Sequence, residues 1–175
     1  KRRLSNIRVN FISLVNKGAN KKTILWKSDD DEPNLNLSVE FAKKDEAERM
    51  VYGIVYAPEQ VDTQGDVASA DEIKKAAYSF MKSRNTINVD KQHDFKADEG
   101  YVAESWLVRK RDPLFAKETV GSWAVGIKVE ADDTWKAIEK GDISGLSMAG
   151  LADAEKLEKS DADKSNDTLL QKFFD

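Results

Sequence analysis

The chain has 175 residues, of which 40% are hydrophobic and 34% are charged, and its formal net charge is -4. This length and hydrophobic content predict one domain with a real core and exclude wholesale disorder. The chain has no cysteine and one histidine, which excludes disulfides, thiolate metal sites, a cysteine nucleophile and a histidine-based metal centre. No apolar segment is long enough to cross a bilayer, so we expect no membrane partner.

Alternating apolar residues predict strands over most of the chain. In chain order, strands are expected at 7–15, 23–26, 35–41, 50–57, 86–94, 101–109, 120–130 and 143–149. Ser69 and Glu72 form a capping box that predicts the start of a helix. A shorter helix is expected after Asp132 or Asp133, and Gly141 should end it. Together these elements predict an α+β fold, mainly an antiparallel β-barrel flanked by helices.

His93 and Ser147 are the main candidates for chemistry. The ordinary pKa of histidine suits proton transfer near neutral pH, and His93 lies near the end of a predicted strand. Ser147 lies in the segment GLSMAG at 145–150, where small neighbours leave room for a substrate backbone. This segment is not the Gly-x-Ser-x-Gly nucleophile elbow. A structural histidine and an ordinary turn serine are the alternative interpretations.

Glu104 is the candidate acid. It interrupts the apolar face of its predicted strand, and a carboxylate among apolar neighbours needs a partner. If the hairpin between His93 and Glu104 is antiparallel, Glu104 could orient the imidazole, as the acid does in a Ser-His-acid site. Asp94 points to the opposite face of a regular strand unless a bulge changes its direction. The alternative is that Glu104 lies on the outer, solvated face.

Two other features have alternative functional interpretations. Residues 62–66, DTQGD, resemble the start of a calcium-binding loop but lack the later ligands and the closing glutamate. We expect them to build a turn, with no metal and no cofactor bound to the chain. A ligand-binding domain that uses Trp106, Trp123 and Trp135 is a further alternative. Core packing explains Trp123 better, because it lies on an alternating apolar face.

Three segments together resemble tailed-phage prohead maturation proteases, most closely the XkdF-like branch of phage serine proteases. Residues 53–66 resemble the opening of these proteases, residues 89–94 their histidine strand, and residues 135–150 their helix and serine strand. The resemblance implies the herpesvirus assemblin-like fold, a β-barrel surrounded by helices. By position, Ser147 would be the nucleophile and His93 the base.

The order of the segments departs from that family. In related proteases the third catalytic member comes from a strand after the serine. Here the segment most similar to that strand and its turn, residues 11–20, lies near the amino terminus, which implies a circularly permuted chain. The third position then falls at Asn10 or Phe11, and neither is an acid. Glu104 is therefore retained as the candidate acid.

The resemblance implies a serine endopeptidase of phage procapsid maturation. Its substrates would be capsid and scaffold proteins and the enzyme itself, inside the procapsid in the host cytoplasm. Backbone N–H groups of Ala19 and Asn20 would line the oxyanion hole. The family also suggests a homodimer. The alternative is a non-catalytic capsid-assembly or scaffold module, which the missing acid favours and the contexts of Ser147 and His93 disfavour.

These observations predict a protease domain over residues 1–150, with an N-terminal strand segment at 1–30 and a catalytic core at 50–150. Residues 151–175 are rich in charge and predict a tail or a terminal helix, which could dock to a partner. The basic residues near the start flank an apolar strand and lack interleaved aromatic residues. Nucleic acid is therefore not an expected partner.

Overall fold

The computed structural model describes residues 1–16, 35–41, 43–62 and 65–157. Within these ranges the order of elements is β1 (Arg2–Val15), β2 (Leu35–Glu40), β3 (Lys43–Asp45), β4 (Met50–Tyr56), β5 (Asp66–Val67), α1 (Ala70–Lys82), β6 (Val89–Lys91), β7 (Gly100–Leu107), β8 (Trp123–Val129), α2 (Asp132–Lys140) and β9 (Gly145–Lys156). The expected α+β class is confirmed.

The strands form one curled sheet in the order β2-β9-β1-β6-β7-β8-β4-β3, and β5 pairs with β1. Most neighbours are antiparallel, as expected. The long strand β1 departs from this pattern because it is parallel to both β5 and β6. Strand β1 therefore lies between an antiparallel neighbour, β9, and a parallel one, β6.

Helix α1 covers the core face of the sheet. It begins as the capping box predicts, because the Ser69 hydroxyl accepts a hydrogen bond from the N–H of Glu72 at 3.2 Å. Its buried stripe is Ile73, Ala76, Ala77 and Phe80. The ring of Phe80 meets the buried ring of Trp123 edge to face, with centroids 5.4 Å apart. Burying one such aromatic side chain contributes about 2–3 kcal/mol to folding.

Helix α2 differs from its prediction at the first residue. Ala131 occupies the N-cap, so the expected cap by Asp132 or Asp133 is wrong. Both acids lie instead in the first turn, where the positive end of the helix dipole favours negative charge. Gly141 ends the helix in the left-handed region at φ 81°, as expected.

Three strands depart most from their predicted limits. The expected strand at 86–94 is reduced to Val89–Lys91, and a 3-10 turn precedes it. Strand β1 begins at Arg2, and β9 continues past residue 150 to Lys156. The polar ends of these two strands pair with each other through backbone hydrogen bonds, which need no apolar side chains. The domain boundary expected at residue 150 therefore falls inside a strand.

Of the three tryptophans within the described ranges, two are core residues. Trp123 and Trp135 are buried in the main core, while Trp106 packs against Tyr52 and Phe115 at the edge of a smaller cluster. The strand predicted at 23–26, the oxyanion candidates Ala19 and Asn20, and the segment 158–175 lie outside the described residues. Neither of the two helices in the described ranges has the length and apolar character needed to cross a bilayer.

Candidate active site

Strand pairing places three polar residues in one row across the sheet. Ser13 of β1 pairs with Ser147 of β9 on one side and with Asp90 of β6 on the other. Because residues in register point to the same face, their side chains line up. Their strand neighbours are buried in the core, namely Ile12, Leu14, Val89, Leu146 and Met148. The polar row therefore lies on the face opposite the core.

The histidine reaches this row through a tight turn after β6. Gln92 and His93 both adopt left-handed backbone conformations, at φ 55° and 59°, and the N–H of Asp94 donates to the Lys91 carbonyl at 3.2 Å. Two successive left-handed residues are typical of type I′ turns, which normally use Asn and Gly. Each non-glycine residue held there costs about 1–2 kcal/mol. The turn brings His93 back to the face of Asp90, whereas a regular strand would separate them.

The imidazole of His93 joins the two serines. Its Nε2 lies 2.9 Å from Oγ of Ser147, and its Nδ1 lies 3.0 Å from Oγ of Ser13. The Ser13 hydroxyl donates in turn to Oδ1 of Asp90. We call Ser147, His93, Ser13 and Asp90 the histidine chain. Ser13 and Asp90 are 0% exposed and Ser147 is 2% exposed.

The positions of the hydrogen atoms in the histidine chain follow from which of its groups can donate and which can only accept hydrogen bonds. A carboxylate only accepts hydrogen bonds, so the single hydroxyl hydrogen of Ser13 points to Asp90. Ser13 is then an acceptor toward the imidazole, which assigns the hydrogen of neutral His93 to Nδ1. The lone pair of Nε2 faces the Ser147 hydroxyl. The imidazole is therefore set to accept the proton of Ser147.

Burial controls the protonation of the two titratable members. It lowers the pKa of His93, and the charge of Asp90 opposes this effect. Burial raises the pKa of Asp90, while hydrogen bonds from Ser13 and from the N–H of Phe95 oppose that rise. The Phe95 N–H lies 2.9 Å from Oδ2 of Asp90. A lowered pKa keeps His93 neutral, and so able to act as a base, near neutral pH.

The ring of Phe95 borders the imidazole and packs against the ring of Phe11. Phe11 pairs with Ala149 on the same face as Ser13 and Ser147. Its ring meets Phe95 edge to face at 5.4 Å, and the Phe95 ring lies 6.2 Å from the imidazole. Phe95 is 47% exposed. The exposed ring of Phe95 therefore gives the surface beside the imidazole an apolar character.

The expected contact between Glu104 and His93 is not formed. Strands β6 and β7 pair at Val89 and Gly100 in antiparallel register, so the chain runs from these residues to His93 and to Glu104 in opposite directions. Glu104 lies opposite Gly126 of β8, and its carboxylate hydrogen-bonds with Tyr52. The hydrogen-bond partner of Nδ1 of His93 is Ser13, where Glu104 was expected.

Sequence reasoning missed Ser13 and Asp90. The third position was expected at Asn10 or Phe11, but the residue that touches Nδ1 is Ser13. Its signal was a lone hydroxyl inside the apolar run 12–15. A regular strand would place Asp90 on the face opposite His93, so sequence alone gave no reason to group the two residues. Asp94 is exposed, and its carboxylate accepts from the N–H of Lys96 at 3.0 Å.

The last glycine of the segment 145–150 has a packing role. A Cβ at Gly150 would lie 2.0 Å from the carbonyl oxygen of Arg8, so only glycine lets β9 approach β1 there. The small size of this residue, which we had linked to substrate access, is required by strand pairing.

The acidic loop at 62–66 builds a turn in the residues that the structure describes. A carboxylate oxygen of Asp62 accepts from the N–H of Asp66 at 2.8 Å. The Asp66 carboxylate binds Arg2 through both oxygens at 2.7 Å. No group of three or more potential metal ligands occurs within the described ranges.

Comparisons with known proteins point to the same kind of chemistry. A family model described as "Putative phage serine protease XkdF" matches residues 38–156. Protein YqbD of Bacillus subtilis (strain 168), whose name calls it uncharacterized, is 39% identical over 182 residues, covering 99% of this chain and 55% of that protein. Phage-like element PBSX protein XkdF of the same organism is 34% identical over 165 residues, covering 91% of this chain and 59% of that protein.

The chain therefore spans a little more than half the length of these two relatives. No solved structure matches it. The family match covers the histidine turn, both helices and the serine strand, and extends over more than half of the chain. The chain belongs to this family, the one described as "Putative phage serine protease XkdF".

Proposed function

We propose that the chain is a serine endopeptidase in which Ser147 is the nucleophile and His93 is the general base. The observation that carries this proposal is the 2.9 Å contact between Oγ of Ser147 and Nε2 of His93. This distance is within the range required for direct proton transfer between a nucleophile and its base. The family match supports the same assignment.

The reaction follows from the direction of the hydrogen bonds. Oγ of Ser147 attacks the carbonyl carbon of the scissile bond while its proton passes to Nε2 of His93. The protonated imidazole then gives this proton to the leaving amine, which forms the acyl-enzyme. A water molecule releases the acyl group by the same steps. Throughout, Ser13 holds the Nδ1–H group and fixes the ring.

The oxyanion donors are proposed to be the backbone N–H groups of Ala19 and Asn20. These residues follow β1, the strand that carries Ser13, by a few positions. The end of β1 lies beside the histidine turn, because the N–H of Asn16 is 3.4 Å from the side-chain oxygen of Gln92. The chain thus leaves β1 next to the site, which supports a donor role for the residues that follow.

The biological role that we propose is procapsid maturation. The enzyme would cut capsid and scaffold proteins, and itself, inside the phage procapsid in the host cytoplasm, and it would act as a homodimer. Membership of a phage protease family and the similarity to a protein of the phage-like element PBSX support this role. Such substrates would bind as extended segments.

Intact-mass analysis of the natural full-length protein tests the proposal. The protein would be incubated alone and with its cognate scaffold and capsid proteins, beside Ser147→Ala and His93→Ala. We expect the wild type to produce discrete fragments and each variant to lose cleavage about 10⁴-fold or more. A fluorophosphonate probe should label the wild type at Ser147. The matched control is Ser5→Ala, a half-buried serine at the other end of β1, which should cleave normally.

Two results would contradict the protease assignment. One is a wild-type protein that stays whole with every substrate and does not react with the probe. The other is cleavage that persists in Ser147→Ala. The first result would favour the non-catalytic assembly or scaffold module, and the second would show that another group performs the cleavage.

A further inference from the structure

Asp90 is a buried carboxylate whose hydrogen bonds come from neutral donors. It is 0% exposed, and the described contacts to its two oxygens are the Ser13 hydroxyl and the Phe95 N–H. The ion pairs of the described residues do not include it. Burial of a carboxylate without a cationic partner is unfavourable. Stability alone does not explain an acid at this position.

The acid controls the direction of the hydrogen bonds beside it. Ser13 has one hydroxyl hydrogen, and Asp90 requires it. Without that requirement, the hydroxyl could rotate and donate to Nδ1 of His93. The imidazole hydrogen would then move to Nε2 and point at the Ser147 hydroxyl. An imidazole in that tautomer cannot accept the proton of Ser147.

We propose that Asp90 is a positioning residue that acts on His93 through the Ser13 hydroxyl and selects the Nδ1–H tautomer. This inference rests on the proposed function, in which His93 is the base. It explains why the third member of the site is a serine in this chain, since the acid stands one hydroxyl further away. Ser13 connects Asp90 to His93, and Asp90 determines which group the Ser13 hydroxyl donates to.

The same arrangement acts while the reaction proceeds. When Nε2 takes the proton of Ser147, the imidazole becomes a cation and keeps its hydrogen bond to Ser13. The hydroxyl hydrogen of Ser13 stays on its oxygen and points to the Asp90 carboxylate. No proton passes to Asp90. Its negative charge stabilises the imidazolium across one hydroxyl group.

The substitution Asp90→Asn reverses this order of donors with almost no change of shape. The Phe95 N–H needs an acceptor, so the amide oxygen must face it. The amide NH₂ group then faces Ser13, whose hydroxyl accepts from it and donates its own hydrogen to Nδ1. The variant should therefore hold His93 in the Nε2–H tautomer.

The tautomer can be measured without ambiguity because the chain has one histidine. The experiment is ¹⁵N NMR of the histidine-labelled full chain above the pKa of the imidazole, for wild type, Asp90→Asn and Asp94→Asn. We expect Nδ1–H in the wild type and in Asp94→Asn, and Nε2–H in Asp90→Asn. Asp94 is the matched control because it is an exposed acid next to His93.

Peptide cleavage gives the second readout. A wrong tautomer lowers serine protease activity by up to about 10⁴-fold, so we expect a loss of about 1000-fold in Asp90→Asn and little change in Asp94→Asn. Adding Asp90→Asn to Ser13→Ala should cause little further loss, because the link is already absent. If Asp90→Asn lowers cleavage as much in the Ser13→Ala background as in the wild type, the proposed route through Ser13 is overturned.

Retention of the Nδ1–H tautomer in folded Asp90→Asn would also overturn the inference. The tautomer is read on the resting protein, so this test does not depend on protease activity. If Asp90→Asn changes the tautomer of His93 but the wild-type protein cleaves nothing, the result would support the role of Asp90 and contradict the proposed function.

Discussion

The short strand β6 contributes to two polar clusters, each of which contains a buried carboxylate, Asp90 in one and Glu99 in the other. Asp90 points to one face and belongs to the histidine chain. The next residue, Lys91, points to the other face, where its ammonium lies 3.5 Å from Oε1 of Glu99 and 3.3 Å from Oγ1 of Thr134. The Thr134 hydroxyl donates to the second oxygen of Glu99. We call Lys91, Glu99 and Thr134 the lysine cluster.

The two clusters differ in how their carboxylates are satisfied. Glu99 has a cation and a hydroxyl, so its charge is matched within the lysine cluster. Asp90 has neutral donors, and its chain of hydrogen bonds continues to the Ser147 hydroxyl. A buried charge that has an oppositely charged partner stabilises the structure, here the packing of β6, β7 and α2 against one another. An unmatched one raises the free energy of the fold and indicates a functional site.

The largest effect on stability should come from the lysine cluster. In Glu99→Ala the buried Thr134 hydroxyl loses its acceptor and Lys91 loses its partner. Lys91 can still reach water, so we expect a loss of about 2 kcal/mol in the free energy of unfolding, measured by urea denaturation. Glu118→Ala, at an exposed acid, should change stability by less than about 0.5 kcal/mol. Equal effects of the two substitutions would show that the cluster does not stabilise the fold.

The pH dependence of cleavage should report the burial of His93. Because burial lowers its pKa, the acid limb of kcat/KM should fall below pH 6.5, the ordinary value. The stability that a neutral His93 provides is complete above that value and is lost as pH falls through the lower folded-state pKa. NMR titration of the single histidine measures the same group. An acid limb at or above pH 6.5 would contradict the assigned environment.

The smallest effect should come from the histidine turn itself. Gln92→Gly relieves a left-handed residue at φ 55° but gives the unfolded chain more freedom. These effects oppose each other, so stability should change by less than about 1 kcal/mol, and cleavage should fall less than about 10-fold as the turn loosens. Arg84→Gly is the matched control, because Arg84 has φ 60° at the end of α1, away from the site. A complete loss of cleavage in Gln92→Gly would show that the side chain does more than shape the turn.

Local patterns predicted part of this molecule correctly. The capping box at Ser69 and the alternation in β8 depend on neighbours in sequence, and both elements form where expected. The pairing of Ser147 with His93 came from the resemblance to a family, and the two side chains lie within hydrogen-bond distance in the structure. The catalytic roles themselves are still predictions.

The remaining features depend on tertiary structure. A turn built from Gln92 and His93 has none of the Asn-Gly chemistry that normally identifies it, so the chain reversal after β6 had no local signal. The position of Ser13 depends on the parallel pairing of β1 with β6, which joins distant segments. Glu104 was misplaced because its expected contact required a strand register that sequence alone does not define.

The position of β9 in the sheet determines when the site becomes complete during synthesis. Ser13 and His93 are 80 residues apart, and His93 and Ser147 are a further 54 apart. The chain leaves the ribosome amino terminus first, so β1 and the histidine turn are made before Ser147. Ser147 meets His93 only when β9 inserts between β1 and β2. A nascent chain that has not yet made β9 lacks the Ser147 hydroxyl, so the contact between Ser147 and His93 forms only after β9 has joined the sheet.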